Sequence, residues 1–150
     1  MHLSTRAAVG VHILTLLAGS EGHPLSSEEV AGSVNTNPAV IRRVLQYLSR
    51  AGLVTSRLGA GGGSLLARAP RDITLADVYR AVEPGDLFTL HDRPNPLCPV
   101  GRAIVPELDR HFGRATRALE ASLEQVTIAD VLASALATRP KPSGRAARSA

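Results

Sequence analysis

Asn35-Thr36-Asn37-Pro38-Ala39-Val40-Ile41-Arg42-Arg43-Val44-Leu45-Gln46-Tyr47-Leu48-Ser49-Arg50-Ala51-Gly52 is the stretch whose reading decides the fold. Asn37 offers a side-chain oxygen to the free N–H groups of a helix start. Pro38 suits the first helical position, where no N–H is needed, and Gly52 suits the left-handed residue past the end. These signals predict a helix from Pro38 to about Ala51. Ile41, Val44, Leu45 and Leu48 recur at helical spacing, which turns one stripe inward and leaves Arg42, Arg43, Gln46 and Arg50 facing out. Upstream, Ser26 and Glu29 stand at capping-box spacing and open a short helix over Val30, Ala31 and Val34. That helix ends in Asn35-Thr36-Asn37, a turn of about three residues. Downstream, Leu53-Val54-Thr55-Ser56-Arg57 and Ser64-Leu65-Leu66-Ala67-Arg68 have strand character on either side of Gly59-Ala60-Gly61-Gly62-Gly63. Short helix, tight turn, capped second helix and glycine-tipped hairpin, in that order, spell a winged helix-turn-helix, a module that reads double-stranded DNA.

Two other readings of the same stretch compete. A glycine-rich loop can cradle a nucleotide phosphate, but that needs a helix after the loop and usually a Gly-Lys-Ser/Thr ending, neither of which is present. A small helical domain with a solvated Arg face is the plainer alternative, and charge segregation weighs against it. Residues 1–68 carry six Arg against three Glu, a net of +3; residues 69–138 carry seven Arg against ten acids, a net of −3; residues 139–150 add four cations and no acid. Basic surface at the helix-turn-helix is what release of counterions from DNA requires, and acidic surface elsewhere keeps the remainder off the phosphates.

The 150 residues fit one domain with an extension, and 44% hydrophobic residues with no Trp, two Tyr and two Phe call for an aliphatic core. The apolar run Ala7 to Gly19, broken by His12 and Thr15, is too short to span a bilayer. It reads as a first core helix capped near Ser4, with Val9, Ile13, Leu16 and Leu17 inward; Arg6 before the run admits a signal peptide as the alternative. A single Cys excludes an intrachain disulfide framework, which fits the expected cytoplasmic location with no membrane partner.

Thr74 with Asp77 opens another capped helix, ending at Glu83 before Pro84-Gly85, and Thr127 with Asp130 opens a last one reaching about Thr138. Ile73-Thr74-Leu75-Ala76-Asp77-Val78 and Val126-Thr127-Ile128-Ala129-Asp130-Val131 resemble each other through shared capping chemistry. Between them Val105, Leu108, Phe112, Ala115 and Leu119, followed by Leu123 and Val126, form a heptad-like seam on a helix of about twenty residues or more. Such a stripe either packs on its own domain or dimerises, and the compact front half favours a dimerisation helix. Pro106 either marks its first turn or kinks a helix that starts near Gly101. The expected architecture is mainly α with a small hairpin: a winged domain over 1–84, a loop, long helix and short helix over 85–138, and a basic tail over 139–150 too poor in apolar residues to order itself.

Residues Leu3-Ser4-Thr5-Arg6, Asn37-Pro38-Ala39-Val40-Ile41-Arg42-Arg43, Leu48-Ser49-Arg50-Ala51-Gly52-Leu53-Val54, Gly61-Gly62-Gly63 and Ile73-Thr74-Leu75-Ala76-Asp77-Val78 together resemble the BadM- or Rrf-type winged-helix transcriptional regulators. The iron-sulfur sensors IscR and NsrR are among that family's better-known members. The resemblance runs to about Ala137. It implies a homodimer with crossing long helices, two recognition helices on successive turns of a palindromic operator, and usually repression. Cluster-holding members look to three closely spaced Cys before the long helix, whereas this chain has only Cys98, so no iron-sulfur cluster is expected even with His91 or His111 recruited. Those members also often carry Arg before the wing's first glycine and an aromatic residue after its last, where this chain has Leu58 and Ser64.

Three readings of Cys98 stand: a redox-responsive thiol at the start of the long helix with Pro99 in its first position, a buried inert Cys, and a zinc site with His91 and Asp92. No catalytic constellation supports an enzyme. A winged fold used only for protein contacts is the other alternative to a DNA reader. For DNA, Asn35, Thr36, Asn37, Ala39, Val40, Arg42 and Arg43 are expected in the major groove, with Ser26, Ser27 and the wing around Arg57 and Gly62 on phosphates. Val105, Leu108, Phe112, Ala115, Leu119 and Leu123 are expected in the dimer interface. The effector is not legible.

Overall fold

The computed structural model describes residues 5–138. In chain order these form α1 (Arg6–Gly19), α2 (Ser27–Val34), α3 (Pro38–Arg50), β1 (Val54–Arg57), β2 (Gly63–Leu66), α4 (Leu75–Val82), α5 (Gly101–Glu124) and α6 (Ile128–Ala137), with a 3₁₀ turn at Pro70–Asp72 before α4. The mainly helical winged architecture expected from the pattern is the one observed. Ser4 and the basic tail lie outside the described residues, and among those residues no helix is long and apolar enough to cross a membrane.

Local chemistry sets most of the boundaries. Ser26 Oγ accepts the Glu29 N–H at 3.2 Å while Glu29 Oε2 accepts the Ser26 N–H at 2.7 Å. Thr74 with Asp77 and Thr127 with Asp130 make the same reciprocal pair at α4 and α6. The backbone N–H and then the hydroxyl of Ser26 hold the Glu29 carboxyl below its ordinary value, and Thr127 does the same to Asp130. The start of α1 departs from expectation, since Thr5 precedes it with no side-chain cap. The end of α3 comes one residue early, with Ala51 as the cap and Gly52 left-handed at φ 71°.

The wing strands are also shifted. Leu53 precedes β1, and β2 begins inside the glycine run at Gly63 and stops at Leu66, leaving Ala67 and Arg68 beyond it. The register pairs Val54 with Leu66 and Arg57 with Gly63. Leu25 explains the shift: it exchanges two backbone hydrogen bonds with Ser64, at 2.8 and 3.1 Å, and so stitches the wing to the segment ahead of α2. A Cβ on Gly63 would sit 2.5 Å from the Leu25 carbonyl oxygen, so only glycine permits this approach.

The core is aliphatic, as the composition requires. It joins Ile13, Leu14 and Leu17 of α1 to Val30, to Ile41, Val44, Leu45 and Leu48 of α3, and to Ile73, Val78, Val82 and Ile128. Leu14 lies outside the stripe expected for α1 because α1 packs against α2, α3, α4 and α6 and is enclosed on several sides. The two look-alike capped segments meet. Leu75 donates to the Val126 carbonyl and Ile128 to the Ile73 carbonyl, both at 2.9 Å, which pairs Thr74 with Thr127. Their shared chemistry therefore starts two helices side by side, and α6 returns to the front module to pack on α1.

The long helix stands apart from that core. None of the 24 residues of α5 is fully buried, and Pro106 lies inside the helix. Arg80 of α4 clamps it through Glu120 at 2.7 Å and Glu124 at 2.6 Å, hydrogen bonds that hold the guanidinium pKa above its ordinary value. Phe88 stacks on Phe112 with ring centroids 4.4 Å apart, tying the preceding loop to the helix.

Candidate nucleic-acid interface

The outward face of α3 follows from its buried stripe. With Ile41, Val44, Leu45 and Leu48 turned into the core, Ala39, Val40, Arg42, Arg43, Gln46, Ser49 and Arg50 remain at the surface, where Val40 is 44% exposed. Arg43, Arg50 and Arg57 make no ion pair among the described residues, while Arg42 pairs with Glu28 of α2.

The residues leading into α3 are occupied to different degrees. Asn35 ends α2 in the left-handed conformation at φ 58°, a shape Asn tolerates, and the Thr36 N–H bonds back to the Ala31 carbonyl. Asn37 Oδ1 accepts the Ala39 N–H at 2.8 Å, so chiefly its amide donors remain for a base. Ser26 is more constrained: its hydroxyl both accepts from the Glu29 N–H and donates to Glu29 Oε2 at 2.8 Å. The Ser26 hydroxyl is thus a cap with no proton left for a phosphate. Ser27 is half-buried beside it and lines the cleft next to the wing.

Between α3 and the wing runs an open cleft of about 480 Å³, lined among others by Ser27, Arg42, Gln46, Ser49, Arg50 and Ser56. Gln46, Ser49, Arg50 and Ser56 were not among the contact residues expected from sequence. Helical spacing already placed Gln46 and Arg50 outward, but only the docked hairpin shows that they share a cleft with Ser56. At the wing tip, Gly62 packs where a Cβ would come 2.2 Å from the Arg57 carbonyl oxygen, so this tight turn admits no side chain. Leu58, 92% exposed, leaves the tip apolar with Arg57 as its neighbouring cation.

The loop before α5 corrects two readings of Cys98. Its thiol is exposed, so it is not a buried structural Cys. Nor does Pro99 occupy the first helical position: the helix proper begins at Gly101 after Val100, although the Cys98 carbonyl already accepts the Arg102 N–H at 3.1 Å. Among the described residues no group of three or more His, Cys, Asp or Glu side chains is placed to hold a metal ion, which leaves His91, Asp92 and Cys98 without a shared centre. The seam of α5 is half-buried at Val105, Leu108, Phe112, Leu119 and Leu123 and exposed at Ala115, with Phe112 partly spent on Phe88.

The family model described as Rrf2, iron-dependent transcriptional regulator, matches residues 3–134, nearly the whole described chain. The chain belongs to the Rrf2 family. It is similar to YwnA of Bacillus subtilis (strain 168), which is named for HTH-type transcriptional regulation, with 45% identity over 131 residues covering 87% of this chain and 96% of YwnA. Among solved structures, T. potens IscR superposes with a TM-score of 0.68 at 29% identity, covering 94% of this chain and 93% of IscR. CymR (YrzC), the global cysteine regulator of B. subtilis, does so with a TM-score of 0.67 at 26% identity, covering 89% and 98%. The exposed basic face of α3 and the wing beside it therefore belong to a DNA-binding transcriptional regulator, and the Rrf2 chain presents them on its own aliphatic core.

Proposed function

We propose that this Rrf2 protein acts in the cytoplasm as a homodimeric repressor that binds a palindromic operator, one recognition helix per half-site. The observation that carries the reading is Arg43 and Arg50 on the outward face of α3, without an ion pair among the described residues, beside a cleft that the wing closes on one side. Asn35, Thr36, Asn37, Ala39, Val40, Arg42 and Arg43 enter the major groove. Ser27, Ser49, Ser56, Arg57 and the backbone at Gly62 follow the phosphates, and Ser26 contributes by positioning α2. The seam of Val105, Leu108, Phe112, Ala115, Leu119 and Leu123 joins the two subunits, because no residue of this 24-residue helix is fully buried and its half-covered apolar stripe still has surface to bury.

Arg43→Ala tests the assignment. Against a duplex selected from a random pool by the wild-type protein, fluorescence anisotropy should show a loss of about 1–3 kcal/mol and relaxed preference at one base pair per half-site. Unchanged affinity and preference would remove Arg43 from the groove.

The protein works without an iron-sulfur cluster in this reading. One Cys in the whole chain and no converging donor set among the described residues do not fit a cluster that wants four ligands. The exposed Cys98 thiol, in the loop that leads into α5, supports a thiol-redox response instead. Peroxide should shift operator affinity in the wild-type protein and leave Cys98→Ser unaffected; an equal response in both proteins removes Cys98 as the sensor.

A further inference from the structure

Glu28 is an anomaly in a DNA-reading surface. It is the second residue of α2, at the edge proposed to meet phosphates, where a carboxylate repels the ligand. An acid in the first turn of a helix usually serves the cap or the helix dipole, but here Glu29 already completes the capping box through Ser26. The Glu28 carboxylate instead reaches across the turn, fourteen residues along the chain, and accepts a hydrogen bond from Arg42 on the recognition helix. Both side chains are largely exposed, 62% for Glu28 and 57% for Arg42, a setting in which an ion pair adds little to folding. Arg43, Arg50 and Arg57 on the same surface have no such partner among the described residues.

We infer that Glu28 sets sequence specificity by holding Arg42 toward the base edges while lowering the phosphate affinity that every sequence offers. The inference rests on the operator-binding reading above. A guanidinium carries five donors in a planar fork, so Arg42 keeps its bond to Glu28 and still presents two N–H groups to the O6 and N7 of a guanine. Where the correct base is present, the pair survives and the Glu28 charge stays neutralised. On a random duplex Arg42 turns to the nearest phosphate, and Glu28 is left as a bare carboxylate beside the backbone. The carboxylate thus penalises wrong sequences more than the right one, which is how a repulsive group creates discrimination.

The test compares wild type, Glu28→Gln, Arg42→Gln and the double variant by fluorescence anisotropy. The probes are a duplex selected from a random pool by the wild-type protein and a scrambled copy, each at two salt concentrations. Glu28→Gln is near-isosteric and exposed, and circular dichroism checks that it folds. It should bind the scrambled duplex about tenfold more tightly, gain less on the selected one, and steepen the salt dependence by about one counterion. In the Arg42→Gln background the same change should move both duplexes by one factor and leave their ratio alone. A ratio unmoved by Glu28→Gln, or moved equally without Arg42, overturns the role of Glu28 while leaving the regulator reading intact. A wild-type protein that enriches no sequence from the pool overturns both.

Discussion

Leu119→Asp should turn the proposed homodimer into monomers and lower operator affinity by about a hundredfold or more, because two half-sites then bind without the gain of being linked. The 24 residues of α5 carry a seam at heptad spacing, yet none is fully buried, and ion pairs from Arg80 to Glu120 and Glu124 clamp the helix to the head. Leu119 belongs to that seam and is half-buried within one chain. In a two-fold interface each substitution occurs twice, so Leu119→Asp would bring two unpaired carboxylates into the contact, and burying such charges is costly. Arg114→Asp, on an exposed face away from the seam, is the matched control and should leave association unchanged. Sedimentation velocity gives the oligomeric state and anisotropy the affinity. A Leu119→Asp protein that remains dimeric would place the interface elsewhere.

Leu48→Ala should act on stability. Leu48 is 0% exposed, the last of the four α3 residues that anchor the recognition helix, and its carbonyl accepts the Leu53 N–H at 2.9 Å where the chain turns into the wing. Truncating a fully buried Leu removes its transfer energy and leaves a cavity, about 2–5 kcal/mol in total. That is a large share of the roughly 5–15 kcal/mol that holds a domain of this kind together. Differential scanning calorimetry should show the midpoint falling by about 10 °C or more. Operator affinity of the folded fraction should change little, since the outward Arg residues keep their helix. A midpoint within a degree or two of wild type would mean that the site collapses around the smaller side chain.

The caps show how far sequence reading reached. Ser26, Asn37, Thr74 and Thr127 were legible because each bonds a backbone group two or three residues away. That the Ser26 hydroxyl also donates to Glu29 was not legible, because a capping-box pattern places the two side chains together without saying where the hydroxyl proton goes. The strand limits slipped because Leu25, far from Ser64 along the chain, decides where β2 begins, and no local pattern announces it.

Sequence by itself determined the capped starts of α2, α3, α4 and α6, the inward stripe and outward Arg face of α3, the aliphatic core and the seam on α5. These follow from hydrogen bonds within a turn and from periodicity along one element. Tertiary structure alone decided that α6 packs on α1, that Thr74 meets Thr127, that Gln46, Ser49, Arg50 and Ser56 share a cleft, that Glu28 holds Arg42, and that Cys98 is exposed. Each of these depends on how separate elements dock, and docking is set by the shape and packing of the whole core, which no window of neighbouring residues contains.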